Sequence, residues 1–469
     1  MNIQRTSGKG FLETVNGIRV LHLAGDPWER GFQHGSLLRE EIEHTLPLGL
    51  TSASAVAAFM TGSPLEEGFE KLKTGGLTAG PFLPAHIRRE MEGLAEALAS
   101  AGSIISLDDI ITWNTMYDTW CFYAHPDPSN PDGHPAEGFT APGCSSFSAW
   151  GSATADGRLV FGKNMDNLDL PGIPEGRTVM IVRPDQGRSY VNMTLPGMLA
   201  IDGGMNDNGI AVMTHYSPSA CETMRGCGIG TLSRLILNEA SSLEDALNIL
   251  GSTPRCTGIN WHIADAKAGT AAVMETSAAR TAVRYPESDI LWTTNHSNCY
   301  PGWMGYDGVN MVEDQKRVFR LSDIRSIQAW QQSLSDRKNP YISGAGRFRR
   351  YRQLLDEHHG SIGMETGKRI LSDRIDPDTG IERAWDAPSP GKNDGATISL
   401  LYGRIVYASG ARVHGTGRTI DITGQTGNLW SMTALPESGD FAVAAQGFPA
   451  HRHGWVSFNL QKELNVTGS

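Results

Sequence analysis

Several common signals are missing from this sequence. No run approaches the ~18 apolar residues of a bilayer-spanning helix, and residues 1–10 (MNIQRTSGKG) lack the apolar core of a secretory leader. Positive charge is in deficit: 40 Lys and Arg against 51 Asp and Glu give a formal net charge of -11. That balance argues against nucleic acid or an anionic membrane as the main partner. Cysteine is scarce, with six residues (Cys121, Cys144, Cys221, Cys227, Cys256 and Cys299) and no Cys-x-x-Cys pair. Neither a disulfide framework nor a zinc site is therefore expected. A P-loop, a dinucleotide fingerprint and a Gly-x-Ser-x-Gly elbow are absent too, so no cofactor and no metal are expected. The expectation is a soluble, cytoplasmic protein of ordinary globular composition.

Glycine and proline are plentiful, 54 and 24 in 469 residues, which means many turns. Residues 18–24 read as a strand, and 28–46, 84–101 and 106–120 carry the 3.6-residue apolar period of helices. The first ~120 residues are thus mainly helical. A stretch dense in Pro, Asp and Gly at 125–143 can form neither helix nor sheet interior. Beyond it come short strand-like runs at 145–154, 158–163, 177–183, 189–194, 209–215, 257–264, 270–276, 281–285, 290–294, 395–401, 404–408 and 440–446. Helical periods interrupt at 229–251, 316–333, 347–359 and 363–373. Antiparallel strands with helices in blocks predict an α+β fold of packed sheets covered by helices.

The 125–143 stretch ends in Pro142-Gly143-Cys144-Ser145-Ser146-Phe147, a thiol at the entry to the first strand. The carbonyl of a glycine can be approached closely. Attack by the neighbouring thiolate would pass through a thioester and leave Cys144 as a new N-terminus. Its freed α-amine, with a reference pKa near 8, could then act as general base for its own thiol. A turn at Ala155-Asp156-Gly157 folds the next segment back on the first strand and returns Asn164 and Asp166 to its start. There Asp166 could hold the α-ammonium or orient substrate, and Asn164 could donate a hydrogen bond. His451-Arg452-His453 lacks a completing ligand set and is expected in solvent. His358-His359 reads as a helix end before Gly360. The Trp and Met residues are expected in the core.

In Gly143-Cys144-Ser145-Ser146-Phe147 and Gly162-Lys163-Asn164-Met165-Asp166 the sequence resembles the cysteine N-terminal nucleophile (Ntn) hydrolases. The likeness is above all to the acyl-coenzyme A:6-aminopenicillanic acid acyltransferase group (peptidase family C45). Lys163 stands where that family usually has Arg. The stretches from Gly25 to Gly35, from Gly203 to Val212, and Thr293-Thr294-Asn295-His296 are similar to further family motifs.

The resemblance implies a four-layer αββα sandwich with a helical N-terminal segment. It also implies cleavage between Gly143 and Cys144 into a 1–143 segment and a 144–469 core that stay associated. Cys144, Asp166, Asn295 and Arg347 are the implied catalytic residues, with Asn295 donating to the oxyanion. Lys163, Asn164 and the neighbourhood of His215 are implied substrate or oxyanion contacts. Arg347 is preferred over Arg317 as the family's arginine, which makes 300–345 an insertion; Arg349, Arg350 and Arg352 read as a solvated basic face. Pocket loops are expected in 167–178, 214–228 and 300–345. The implied activity is hydrolysis of a linear amide bond in an N-acyl small molecule through an acyl-thioester. Acyl transfer from a CoA thioester or amide to an amine, and a non-catalytic binding protein, are the alternatives. Beyond the substrate and the fragments' self-association no partner is implied, and homo-oligomers are left open.

Overall fold

The computed structural model describes residues 3–123, 143–217, 222–286, 288–295, 343–385 and 397–467. Arg317, His296, Cys221, Cys299, the 125–142 connector and nearly all of the 300–345 insertion, with its 316–333 helix, lie outside the described residues.

Among the described residues the strands form two sheets. The larger runs β1 (Ile3–Ser7), β2 (Gly10–Val15), β3 (Ile18–Gly25), β6 (Thr178–Pro184), β7 (Tyr190–Thr194), β8 (Gly203–Asn206), β9 (Ile210–Tyr216), β10 (Ile259–Asp265), β11 (Thr270–Thr276), β12 (Thr281–Arg284). The smaller runs β13 (Ile290–Thr293), β4 (Gly143–Gly151), β5 (Gly157–Leu168), β15 (Thr419–Leu435), β16 (Asp440–Ala444), β17 (Val456–Asn459), with β14 (Leu401–Arg412) also paired to β15. All pairings are antiparallel except β3 with β6.

The two sheets stack face to face. Ser146 and Ser148, two apart on β4 and therefore on one face, bond the two ring nitrogens of His262 on β10 at 2.7 and 2.9 Å. Burial pushes the His262 pKa far below its usual range, so the ring is neutral and serves as one donor and one acceptor. Outside the larger sheet lie α6 (Ile229–Glu239) and α7 (Leu243–Ser252); outside the smaller lie α8 (Ser343–Glu357) and α9 (Met364–Leu371). This is the expected four-layer αββα sandwich.

The N-terminal segment departs from expectation in one respect. It is mainly helical, with α1 (Pro27–Leu37), α2 (Arg39–Thr61), α3 (Leu65–Ala79), α4 (Ala85–Ser100) and α5 (Leu107–Tyr123). Yet it also supplies β1, β2 and β3 to the larger sheet, so the sheets are not confined to 144–469. The predicted 28–46 helix is two helices broken at Leu38, and the 229–251 period is split at Ala240–Ser242. The stretch from Gly25 to Gly35 is a packing device. Asp26 and Glu29 form a capping box, and a Cβ on Gly31 would meet the Glu90 carbonyl of α4 at 1.8 Å. Glu90 is clamped between Arg30 and Arg234 at 2.7 and 2.8 Å.

Candidate functional site

The β4–β5 hairpin sets the site. Its register places Gly143 opposite Asp166 and Cys144 opposite Met165. Side chains alternate across a strand, so the Cys144 thiol, Met165 and Lys163 face the second sheet while Ser145, Asn164 and Asp166 face α8 and α9. The contacts agree: Cys144 Sγ lies 3.7 Å from Met165 Sδ, and Tyr351 of α8 donates to Ser145 Oγ at 3.0 Å.

A polar cradle surrounds the backbone of Cys144. Its N–H donates to Asn295 Oδ1 at 2.7 Å. Arg347 Nη1 donates to the Cys144 carbonyl at 2.5 Å, and Nη2 to Asn295 Oδ1 at 2.7 Å. Asn295 donates one N–H to the Tyr216 carbonyl at 2.8 Å, and its amide carries a second N–H. Arg347 is 1 % exposed and shares a helix face with Tyr351, four residues on. Gly143 has no room for a side chain, since a Cβ would lie 2.5 Å from Leu400 Cδ1 and 3.2 Å from Arg347 Nη2.

Asp166 is fully buried. Its Oδ1 accepts from Asn428 of β15 at 3.1 Å, while Oδ2 has no hydrogen-bond partner among the described residues. Burial pushes its pKa up to about 6 against the opposing pull of Arg347 and the Asn428 bond. Burial likewise pushes the Cys144 thiol up to about 11, with Lys163 pulling down. Lys163 pairs with Asp202 at 2.9 Å and donates to the Thr214 carbonyl. Asp202 also accepts from the Thr214 hydroxyl.

Three expectations are corrected. Asn164, expected as a substrate or oxyanion contact, lies on the α9 face of β5, away from the thiol, and its amide donates to the Leu371 and Ile398 carbonyls at 2.8 and 3.2 Å. Arg350 is not solvated; it forms a two-bond pair with Asp373 at 2.9 and 2.7 Å. His451 is not left to solvent, since its ring nitrogens bond Ser399 and Ser431 at 2.8 and 2.7 Å. His215 is fully buried and neutral, its Nδ1 against the Asn260 carbonyl at 3.0 Å.

A small apolar cavity opens beside the thiol. Met165, Leu168 and Ile201 line it from the core, and Val56, Met60 and Trp120 from α2 and α5. Asn167, Thr214 and Tyr216 come from the segments expected to form pocket loops; the walls from α2 and α5 were unforeseen. Sequence reasoning also missed Asn428, Asp202 and Tyr117, which have no local signature. Elsewhere Glu13, His22 and Glu463 bring three potential metal-ligand atoms within 4.8 Å. Burial holds His22 neutral, its pKa pushed down to about 3, and its 3.1 Å contact with Glu13 is an ordinary hydrogen bond.

The family model described as acyl-coenzyme A:6-aminopenicillanic acid acyl-transferase matches residues 152–398, just over half of the chain. That range contains Lys163, Asp166, Asn295 and Arg347 and begins shortly after Cys144. An uncharacterized protein of Archaeoglobus fulgidus is 26% identical over 373 residues, 77% of this chain and 59% of that protein. Protein dcd1B of Dictyostelium discoideum is 24% identical over 280 residues, 56% of this chain and 51% of that protein. The chain thus spans between half and three fifths of the length of these curated relatives. Among solved structures, a variant of conjugated bile acid hydrolase from Clostridium perfringens is similar at 12% identity and a TM-score of 0.35, covering 68% of this chain and 93% of its own. The Caenorhabditis elegans ortholog of N-acylethanolamine-hydrolyzing acid amidase is similar at 13% and 0.36, covering 63% and 93%.

Proposed function

This chain belongs to the acyl-coenzyme A:6-aminopenicillanic acid acyltransferase family, and on that premise we propose that it is a self-processing cysteine amidohydrolase with Cys144 as its nucleophile. The observation that carries the reading is the cradle around the Cys144 nitrogen. An interior strand residue needs only its ladder partners, whereas this N–H donates to a buried amide oxygen that a guanidinium also holds, with the buried Asp166 opposite the preceding residue, Gly143.

The thiol itself supplies a second argument. With a pKa near 11, about one molecule in ten thousand carries a thiolate at neutral pH. A base beside the sulfur is required, and a free α-amine on the same residue is such a base. In the proposed sequence the thiol adds to the Gly143 carbonyl, the peptide nitrogen takes up a proton and leaves, and water hydrolyses the Gly143 thioester. On substrate, the Cys144 amine accepts the thiol proton as sulfur adds to the amide carbon. It then gives that proton to the departing amine, and water releases the acyl group. Asn295's second N–H holds the oxyanion, a contribution of typically ~3 kcal/mol for one preorganised donor. Arg347 holds Asn295 and the Cys144 carbonyl in place, and Asp166 faces the α-ammonium. The apolar cavity beside the sulfur takes the acyl group.

The family's description favours a second outcome for the same acyl-enzyme, capture by an amine instead of water. Product partition with added amines separates the two.

Intact-mass and N-terminal analysis of the purified protein tests the proposal. A fragment beginning at Cys144 and turnover of fluorogenic acyl amides are expected, with both lost in Cys144→Ala. Full turnover by a chain whose Gly143–Cys144 bond is whole would refute it. An intact chain inert to thiol-directed acylating probes would favour a non-catalytic binding protein.

A further inference from the structure

The cavity beside Cys144 holds one group that the scheme above does not use. Tyr117 of α5 lines it, and its hydroxyl is enclosed with no hydrogen-bond partner among the described residues. Trp120, one helical turn on, packs edge-to-face against the Tyr117 ring with centroids 5.4 Å apart at 89°, which fixes the direction of the hydroxyl. Two of the neighbouring polar groups are already engaged. Trp120 donates its N–H to the Ala53 carbonyl at 2.9 Å, and Asp202 is taken by Lys163 and Thr214. Burial, Asp202 and Cys144 all raise the proton affinity of the phenol, so it remains a neutral donor. A phenylalanine would fill the same wall; a tyrosine adds an enclosed O–H that has no acceptor among the described residues.

We propose that Tyr117 is a specificity-determining residue and that the cavity selects an acyl group carrying a hydrogen-bond-accepting oxygen, as an ether, hydroxyl or carbonyl, within an otherwise apolar chain. The inference rests on the amidase reading only in placing the acyl group in this cavity. It also makes the N-terminal segment a direct contributor to substrate choice, because Tyr117 lies before Cys144.

The cavity is small, about 70 Å³, so the probe is a short chain. Hexanoyl amides of a fluorogenic amine are compared with their 3-, 4- and 5-oxa isosteres, which replace one methylene at a time by oxygen. Wild-type enzyme is expected to prefer one oxa position over the parent by about tenfold in kcat/KM, the size of one net neutral hydrogen bond. In Tyr117→Phe that ratio is expected to fall to near one. A flat scan in the wild type, or a preference that survives in Tyr117→Phe, overturns the proposal. Binding of the corresponding free acids to both proteins is measured in parallel. If no amide is turned over yet the acids bind with a Tyr117-dependent oxygen preference, the amidase reading fails and the subsite stands. If amides are turned over without oxygen preference, the reverse holds. Acids that bind without preference, or not at all, in an inactive protein refute the subsite as well.

Discussion

Asp166 is the residue whose replacement separates stability from function most sharply. Its side chain is fully buried, with one oxygen on Asn428 and the other unpartnered among the described residues. Raising a carboxyl from an ordinary 3.8 to about 6, at about 1.4 kcal/mol per pH unit, means that the charged form costs the fold about 3 kcal/mol at neutral pH. The folded chain holds this proton more tightly than the unfolded chain. Stability from the group is therefore fully present below about pH 4 and is lost as pH rises to about 6. Asp166→Asn keeps the shape and an acceptor for Asn428 while removing the charge. It is expected to stabilise the protein above pH 7 by up to about 3 kcal/mol, with the gain vanishing near pH 4, and to lower amide turnover sharply because the α-ammonium loses its counter-charge. The comparison belongs in a Cys144→Ala background, where both chains keep the same covalent structure, and is read from urea denaturation midpoints at pH 4, 5.5 and 7.5. A destabilised Asp166→Asn at pH 7.5, or a difference that does not change with pH, would refute the reasoning.

Arg347→Lys keeps a charge but cannot reproduce the planar fork that reaches the Cys144 carbonyl and Asn295 together. Loss of one charge-assisted bond, roughly 1.5–3 kcal/mol, should lower kcat/KM about 10- to 100-fold in steady-state assays, and an unchanged rate would remove Arg347 from the scheme. Lys163→Met leaves Asp202 as an uncompensated buried charge, expected to cost about 3–5 kcal/mol in urea denaturation. Adding Asp202→Asn should recover most of that loss, and independent, additive effects would show that the pair does not act as a unit.

The hairpin was legible because its signals are local. Ala155-Asp156-Gly157 marks the turn, Gly157 has a φ of +79°, and the spacing from Cys144 to Asp166 then brings the two strand ends together. Arg347 was reached through the family resemblance and not through any period of its own; the structure then shows it on one helix face with Tyr351, four residues on, both meeting β4. Arg350 was read as part of a solvated basic face because its partner, Asp373, lies beyond the helices in a loop with no period of its own. Asn428 was illegible for a different reason. It lies on β15, a 17-residue strand buried on both sides over its second half, where no two-residue alternation shows, and a register shift beside Asn428 breaks the pattern further. Asp202 precedes Gly203-Gly204, whose backbone packs closely on neighbouring strands, and no local pattern marks it as the partner of Lys163.

The contribution of the N-terminal segment follows from topology and could not come from any single motif. β3 pairs in parallel with β6 along seven residues, so the helical segment is anchored inside the ten-stranded sheet, at its third and fourth strands. Parallel pairing of this kind joins strands distant in sequence, here on either side of the Gly143–Cys144 bond. α5 then carries Tyr117 and Trp120 to the cavity that the thiol faces, and Trp113 of the same helix donates to the Pro196 carbonyl at 2.9 Å. A cut after Gly143 would free an amine at the nucleophile while leaving these ladder bonds and buried faces in place. Such a cut changes the chemistry of one nitrogen and releases no folded unit, because the segment before it forms part of the sheet and one wall of the cavity.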